Sequence, residues 1–247
     1  MMFKAVAGLL TTLAMGQALA ANVIQNGGFE ANGAFIQSPD PISHWVVNEE
    51  GIFGGVQVTS DTASAVSGYA TVGAAGGQYY ALMDLMAPSR ASLSQTFTLG
   101  AQGADKALLA FDTFINYATI GTETTFTNAS AGLAMDIDNV QVRVDLLKAG
   151  ASAFTTDAAD IVASASVSPL LTPGPNPYLH HEFNLTGLNL LAGQSYTLRI
   201  AGVNTLGSLQ LGVDNVALDV SPVPEPNGIA LVLAGLSLML VRQARRR

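Results

Sequence analysis

Cysteine is absent from all 247 residues of the sequence. This absence excludes disulfide scaffolds, thiolate metal sites and catalysis by a cysteine nucleophile. A domain of about 200 residues can bury an adequate core without disulfides, so the absence does not argue against export. Aromatic residues are also scarce, at 7%, and Trp45 is the single tryptophan. We therefore expect Trp45 to pack in the core and few rings to be available for ligand stacking.

Positive charge is the next shortage. Between residues 21 and 223, five lysines and arginines stand against 17 aspartates and glutamates. An acidic surface of this kind repels nucleic acid and anionic lipid. We therefore expect no nucleic-acid partner and no membrane contact through this part of the chain.

Catalytic motifs are missing as well. The sequence has three histidines and no Gly-x-Ser-x-Gly motif, so nothing indicates a serine triad. His180 and His181 are neighbours that would point to opposite faces of a strand, which disfavours a zinc pair. Asp136 and Asp138 could share a strand face, and a glycosidase is therefore the third and least favoured hypothesis. We predict no catalytic residues and no enzyme activity.

Both ends of the chain read as targeting segments. Residues 1–20 contain one positive residue, Lys4, then an apolar stretch and the small-x-small pattern Ala18-Leu19-Ala20. This order is typical of a secretory signal peptide that signal peptidase removes. We therefore expect the mature chain to begin near residue 21.

Residues 222–247 read PVPEPNGIALVLAGLSLMLVRQARRR. The uncharged run at 228–241 has 14 residues, fewer than the ~20 that cross a bilayer comfortably. The basic flank that follows it stays on the cytoplasmic side, which directs the preceding chain outward. The two prolines around Glu225 keep the backbone extended and accessible to a protease.

These three parts together resemble the PEP-CTERM sorting signal of exported proteins in Gram-negative bacteria that make exopolysaccharide. The matching residues are Pro224, Glu225 and Pro226, the apolar helix, and the cluster Arg245, Arg246 and Arg247. The resemblance implies transient anchoring in the inner membrane by this segment alone. It also implies processing by an exosortase, and release to the cell surface or extracellular matrix.

The interior shows the period-two alternation of half-buried strands. Val140, Val142, Val144 and Leu146 alternate with polar residues, and Tyr196–Ile200 and Val216–Val220 repeat the pattern. Glycine-rich and proline-rich breaks separate such runs, and no linker divides them. We therefore predict an all-β fold, a single β-sandwich or jelly roll over residues 21–221, with one side of each strand in water.

The start of this domain, NVIQNGGFE at 22–30, and its end, LGVDNVAL at 211–218, resemble those of galactose-binding-like jelly rolls. Within the first of these segments, the Asn26-Gly27-Gly28 run predicts a turn with positive φ angles. The resemblance implies a structural calcium site with Glu30 and Asp214 as ligands, an oxygen-only set that suits this ion. An ordinary turn role for both carboxylates is the alternative.

Two functions are compatible with these patterns. The first is a non-enzymatic surface or matrix protein associated with exopolysaccharide or biofilm. The alternative is a lectin-like carbohydrate-binding module, in which aromatic rings stack on sugars beside polar side chains. Tyr79, Tyr80 and Tyr178 are the residues that we expect to contact a sugar.

Overall fold

The computed structural model describes residues 20–119, 131–167 and 173–222. Across these residues the chain forms ten strands and a single turn of 3-10 helix at Glu30–Asn32, with no α-helix. The all-β prediction is therefore confirmed. The strands are β1 Ala21–Asn22, β2 Ile36–Gln37, β3 Val46–Thr59, β4 Tyr80–Thr98, β5 Ala104–Thr119, β6 Val140–Lys148, β7 Ile161–Ser166, β8 Leu179–Leu190, β9 Ser195–Asn204 and β10 Gly207–Pro222.

The long strand β4 takes part in both layers of the sandwich. Its first half, up to Met86, pairs with β10, and its second half, from Ser89, pairs with β9. The first layer runs β3-β4-β10-β5-β8 and the second runs β4-β9-β6-β7, with every pairing antiparallel. Strand β3 follows β4 through both halves. The jelly-roll architecture therefore depends on two strands that bend from one layer into the other.

The apolar halves of the alternating patterns fill the space between the layers. Val140, Val144 and Leu146 of β6 are at most 2% exposed, and they belong to the same core as Leu209 and Leu211 of β10. Trp45 is also buried, and its ring stacks on Phe29 with 5.5 Å between centroids. The expected core role of Trp45 is confirmed.

The outer faces of the strands differ from the prediction, because long connections cover them. On the first layer, the segment 60–79 lies over buried polar residues that are cross-strand neighbours, namely Asp84, Gln210 and Asn116. Gln210 Oε1 accepts a hydrogen bond of 2.9 Å from Asn116, and Asp84 Oδ2 accepts one from Ser67 in the covering segment. Alternation therefore identified the core face correctly, but the opposite face is not in water here.

The second layer has a buried ion pair on its outer face. Arg199 is fully buried, and its guanidinium donates to Asp145 and to the carbonyl oxygens of Ala153 and Thr155, at 3.1 and 2.8 Å. Arg143 also donates to the Asp145 carboxylate, at 2.8 Å. Arg199 thus fastens the 151–160 loop over β6 and β9.

The N-terminal segment adds to β10, and the predicted turn is confirmed in part. Asn26 has the expected positive φ angle, 51°, but the second positive φ falls on Phe29, at 59°, and not on Gly27 or Gly28. Gly27 instead approaches the backbone of β10, where its carbonyl oxygen accepts a 2.9 Å bond from the N–H of Val216. The Asn26 side chain stabilises the turn, because its Oδ1 accepts from the N–H of Ala31.

The targeting segments lie outside the described residues. This applies to almost all of the predicted signal peptide, and to the sorting residues Pro224, Glu225, Pro226, Arg245, Arg246 and Arg247 with their apolar helix. Within the ranges that are described, no helix has the length and apolar character that crossing a membrane requires. The sorting assignments stay predictions.

Candidate functional site

The residues predicted for calcium and for sugar meet around one loop, residues 73–79. Glu30 Oε1 accepts hydrogen bonds from the backbone N–H groups of residues 78 and 79, at 2.7 and 2.8 Å. Asp214 Oδ2 accepts from those of residues 75 and 76, at 2.9 and 3.0 Å. The two carboxylates, one from each end of the domain, therefore hold the same glycine-rich loop.

Asp214 is the more unusual of the two carboxylates. It is fully buried, and burial raises its pKa to about 6, although the N–H groups of Gly76, Asn215 and Ala75 act in the opposite direction. The nearby negative charge of Asp112 raises the pKa further. A nearby hydrogen-bond donor or cation stabilises the charged form of such a buried carboxylate.

Several oxygens of the predicted calcium site accept hydrogen bonds in this structure. Asp214 Oδ2 and Glu30 Oε1 each accept two backbone N–H groups. The carbonyl oxygens of Asn26 and Gly27 accept from Trp45 and Val216 respectively. The described ranges contain no cluster of three or more His, Cys, Asp or Glu placed to hold a metal. The calcium site at Glu30 and Asp214 stays a prediction, and no function below depends on it.

The three predicted tyrosines lie next to this loop but pack inward. Tyr80 is fully buried, and its hydroxyl bonds Thr71 Oγ1 at 2.7 Å, so its ring offers no face to a sugar. Tyr178 packs edge-on against Phe114, with 5.1 Å between centroids. Burial and the adjacent Asp214 raise the pKa of Tyr178. Tyr79 is partly buried against the core, so sugar contacts by Tyr79 and Tyr178 stay predictions.

A second polar cluster, which the sequence did not predict, contains His180, Asp112 and Asn215. His180 Nδ1 lies 2.7 Å from Asp112 Oδ1, and the Asn215 side chain donates to Asp112 Oδ2 at 2.7 Å. His181 turns to the other face of β8, as neighbouring strand residues do, and stacks on Phe111. The His180 side chain is 62% exposed, so this pair lies on open surface.

A cavity lies where β3 and β4 bend between layers. The ladder between them is interrupted by a bulge between Gly51 and Phe53, opposite residues 87–88. An opening of about 250 Å³ lies beside this bulge, and we call it the crossover cleft. It is lined by Glu49, Glu50, Gly51, Gly54, Gly55, Leu85, Ser89 and Arg90. Sequence reasoning missed it, although the repeated glycines of GIFGG were the available signal.

Glycines are required at two positions of the cleft. Gly51 and Gly54 have φ angles of 129° and 149°, which side chains rarely allow. A Cβ atom at Gly51 would also lie 2.5 Å from the carbonyl oxygen of Pro88. Glycine is therefore required at both positions because the backbone of β4 lies directly against this part of β3.

The walls of the cleft are charged. Arg90 donates two hydrogen bonds to Glu50 Oε2, at 2.5 and 3.1 Å, and one to the carbonyl oxygen of Leu133 at 2.8 Å. The Phe154 ring covers the same guanidinium, with 4.3 Å to the ring centre. The Arg90 side chain is thereby fixed in place on one wall.

Glu49 also lines the cleft and has partners of its own. Its Oε1 accepts from the N–H of Val56 at 2.5 Å, and its Oε2 accepts from the hydroxyl of Ser38 at 2.9 Å. Each carboxylate oxygen has a further lone pair for a ligand. The lining of the cleft therefore includes two carboxylates and one guanidinium.

The sequence matches no protein-family model and no curated protein. Among solved structures, a cyclase from Fischerella sp. TAU in complex with 4-(1H-indol-3-yl)butan-2-one is 19% identical, with a TM-score of 0.50 over 83% of this chain and 100% of the cyclase chain. The carbohydrate-binding module TmCBM61, in complex with β-1,4-galactotriose, is 16% identical, with a TM-score of 0.47 over 80% of this chain and 97% of that one. At this identity the similarity concerns the fold alone.

Proposed function

We propose that this chain is an exported, non-enzymatic protein of the cell surface or extracellular matrix that binds exopolysaccharide through its β-sandwich. The three-part tail at 222–247 and the signal-peptide pattern at 1–20 support export and a location at the cell surface or in the matrix. Signal peptidase and an exosortase are the transient partners that this route requires. The fold of the described domain fits a carbohydrate-binding role.

The crossover cleft is the observation that carries the binding proposal. A saccharide presents hydroxyl groups that donate and accept hydrogen bonds, and its site needs a few fixed polar groups in a concave surface. The Glu50–Arg90 pair supplies acceptors and donors at the cleft.

Saturable binding to the host's own exopolysaccharide is the expected result of a pull-down with the purified protein. We expect one simple sugar to compete with the polysaccharide for binding. The reason is that a cleft of this size accommodates a single monosaccharide unit of the polymer. The same assay with and without calcium tests the predicted ion. Absence of saturable binding in both conditions would contradict the carbohydrate part of the proposal.

Replacement of Pro224, Glu225 and Pro226 by alanine is expected to leave full-length protein in the inner membrane. The reason is that the protease would lose its extended recognition segment while the apolar run and arginines remain. Membrane fractionation of the producing bacterium measures the effect. Pro222→Ala, two residues upstream, is the matched control and should be released normally. Normal release of the triple variant would show that this segment is not read as a sorting signal.

A further inference from the structure

We infer that the crossover cleft continues as a groove beneath the hairpin at residues 63–70, and that this hairpin opens to admit a run of several sugar units. The inference rests on the proposed function and extends the same cleft from a single sugar to an oligosaccharide. It follows from the side chains that lie under the hairpin and from the contacts that hold the hairpin closed.

The cleft borders the hairpin at Gly55. Glu49, in the lining of the cleft, brings its Oε1 within 4.0 Å of the position of a Cβ at Gly55. Val66 of the hairpin lies on the same side, with its Cγ2 3.4 Å from that position. The outer face of the first layer therefore passes from the cleft directly under the hairpin.

Three polar side chains, which we call the polar row, cross the sheet from this point. Asp84 is the cross-strand partner of Gly55. Gln210 is the partner of Asp84, and Asn116 is the partner of Gln210. Directly opposed residues share a face, and four strands about 4.8 Å apart span about 14 Å in all. A surface of this length and polarity suits the hydroxyl groups of linked sugars.

Asp84 supplies an independent sign that the polar row binds a ligand. It is fully buried, yet its Oδ1 accepts no hydrogen bond from any part of the chain that the structure describes. A buried carboxylate oxygen without a donor is costly, and a sugar hydroxyl is a donor that would satisfy it. Gln210 and Asn116 are buried as well. A face that only packs against a cover usually carries apolar side chains at such positions.

The hairpin is a local unit that adds little to the core. Its arms are joined by a bridge between Ala63 and Ala70 and by hydrogen bonds within the hairpin. Ser64 is its only buried residue, and none of its residues belongs to the hydrophobic core. Segments with few buried apolar contacts open locally at low free-energy cost.

The base of the hairpin is held more firmly than its tip. Gln57 Nε2 donates to Ser64 Oγ at 2.8 Å. Thr71 Oγ1, directly after the hairpin, lies 2.7 Å from the hydroxyl of Tyr80. The tip at residues 65–69 is therefore the part that can lift from the polar row while the base stays in place.

Most hydrogen bonds between the polar row and the hairpin are long. Gln210 Nε2 donates to Ser67 Oγ and to the carbonyl oxygen of Tyr69, both at 3.4 Å. Asn116 Nδ2 also lies 3.4 Å from a carbonyl oxygen of the hairpin. Ordinary N–H···O bonds are about 2.9 Å, so these bonds contribute little to closure. The short bond from Ser67 to Asp84 is the main contact of the tip.

Titration calorimetry with the purified full-length protein tests the groove. The probes are fragments of the host exopolysaccharide from partial acid hydrolysis, separated by length. We expect the affinity to rise at least about tenfold from monosaccharides to fragments of several units, because the polar row adds contacts. Equal affinities of monosaccharides and longer fragments would overturn the inference.

A disulfide that closes the hairpin tests whether it has to move. Gly55→Cys/Val66→Cys brings two thiols within bridging distance, because a Cβ at residue 55 would lie 3.4 Å from Val66 Cγ2. The sequence contains no cysteine that could compete for this bridge. The oxidised variant should bind long fragments no more tightly than monosaccharides, and dithiothreitol should restore the difference. Unchanged binding of long fragments by the oxidised variant would show that the hairpin does not have to open.

Ser67→Ala removes the main contact of the tip and should have the opposite effect. Apparent affinity rises with the fraction of protein in the open state, so long fragments should bind at least about threefold more tightly. Loss of a purely structural hydrogen bond would not strengthen binding. Ser195→Ala, which removes a hydrogen bond to Thr98 in the second layer, is the matched control and should bind as the original protein does. Unchanged or weaker binding by the Ser67 variant would overturn the inference.

Failure of the inference and failure of the proposed function give different results. If the polysaccharide binds and a simple sugar competes, but neither fragment length nor the disulfide changes the affinity, the carbohydrate function stands and the groove is overturned. If neither the polysaccharide nor any fragment binds, both are overturned.

Discussion

Asp145→Asn is expected to lower the free energy of unfolding by about 3–5 kcal/mol, which is the usual loss when one partner of a buried ion pair is removed. Asparagine has nearly the same size but no charge. It would leave the fully buried Arg199 without a counter-ion, and the Nε of Arg199 already has no hydrogen-bond partner within the described structure. Urea unfolding at pH 7 measures the difference.

The size of the expected effect comes from burial rather than from the ion pair as such. Glu50→Gln breaks the Arg90 pair, in which the two side chains are 22% and 48% exposed, and should cost less than about 1 kcal/mol. A double variant, Asp145→Leu with Arg199→Met, should recover part of the loss because no unpaired charge remains. Similar losses for Asp145→Asn and Glu50→Gln would contradict the assigned role of burial.

The stability difference between the original protein and Asp145→Asn should depend on pH, and the pKa of Asp145 gives the sign of this dependence. Burial alone would raise the pKa of Asp145, but hydrogen bonds from Arg143, Ser164 and Arg199 outweigh it and lower the pKa below its ordinary value. A lowered pKa in the folded state stabilises the protein above about pH 4, the unfolded value, and the contribution is lost as the pH falls further. The stability difference between the original protein and Asp145→Asn should therefore shrink below about pH 4.

The core of the fold could be predicted from alternation, but the buried polar residues could not. Val140 and Leu146 are buried as their spacing indicates, whereas the intervening Asp145 is buried too. Its burial depends on the 151–160 loop, whose carbonyl oxygens at Ala153 and Thr155 accept hydrogen bonds from Arg199 on another strand. Contacts between residues so far apart in sequence leave no local pattern. Period-two reasoning assumes water on the second face, and long connections remove that water.

The candidate functional site, too, could be predicted from the sequence only in part. Glu30 and Asp214 were identified as related residues, and they do hold one loop, but through N–H donors that the sequence does not reveal. The crossover cleft arises from a bulge between Gly51 and Phe53, and bulges depend on strand register rather than on composition. Tyr80 has the right residue type for stacking, yet its position in the register places it under the 60–79 segment.

The turn at residues 26–29 leads to the second large effect. Gly27→Ala is expected to lower the free energy of unfolding by about 3 kcal/mol or more, the upper end for added volume in a packed region. A Cβ at residue 27 would lie 1.9 Å from the carbonyl oxygen of Val216, which belongs to the backbone of β10. Residue 216 lies where the β10–β5 register shifts, and β10 pairs with β5 on both sides of this point, which limits how far its backbone can move. The N-terminal segment must therefore move away and lose its 2.9 Å hydrogen bond to Val216.

Gly28→Ala is the matched control for this prediction, since it makes the same chemical change one residue later. A Cβ there would meet nothing closer than Asp214 Oδ1 at 3.8 Å and Glu30 Cγ at 3.9 Å, which are ordinary contact distances. Its stability should stay within about 0.5 kcal/mol of the original protein, as for other substitutions without a clash. Chemical denaturation of the two variants compares them directly. Equal losses would mean that backbone freedom, rather than the close approach to β10, is what requires glycine at this turn.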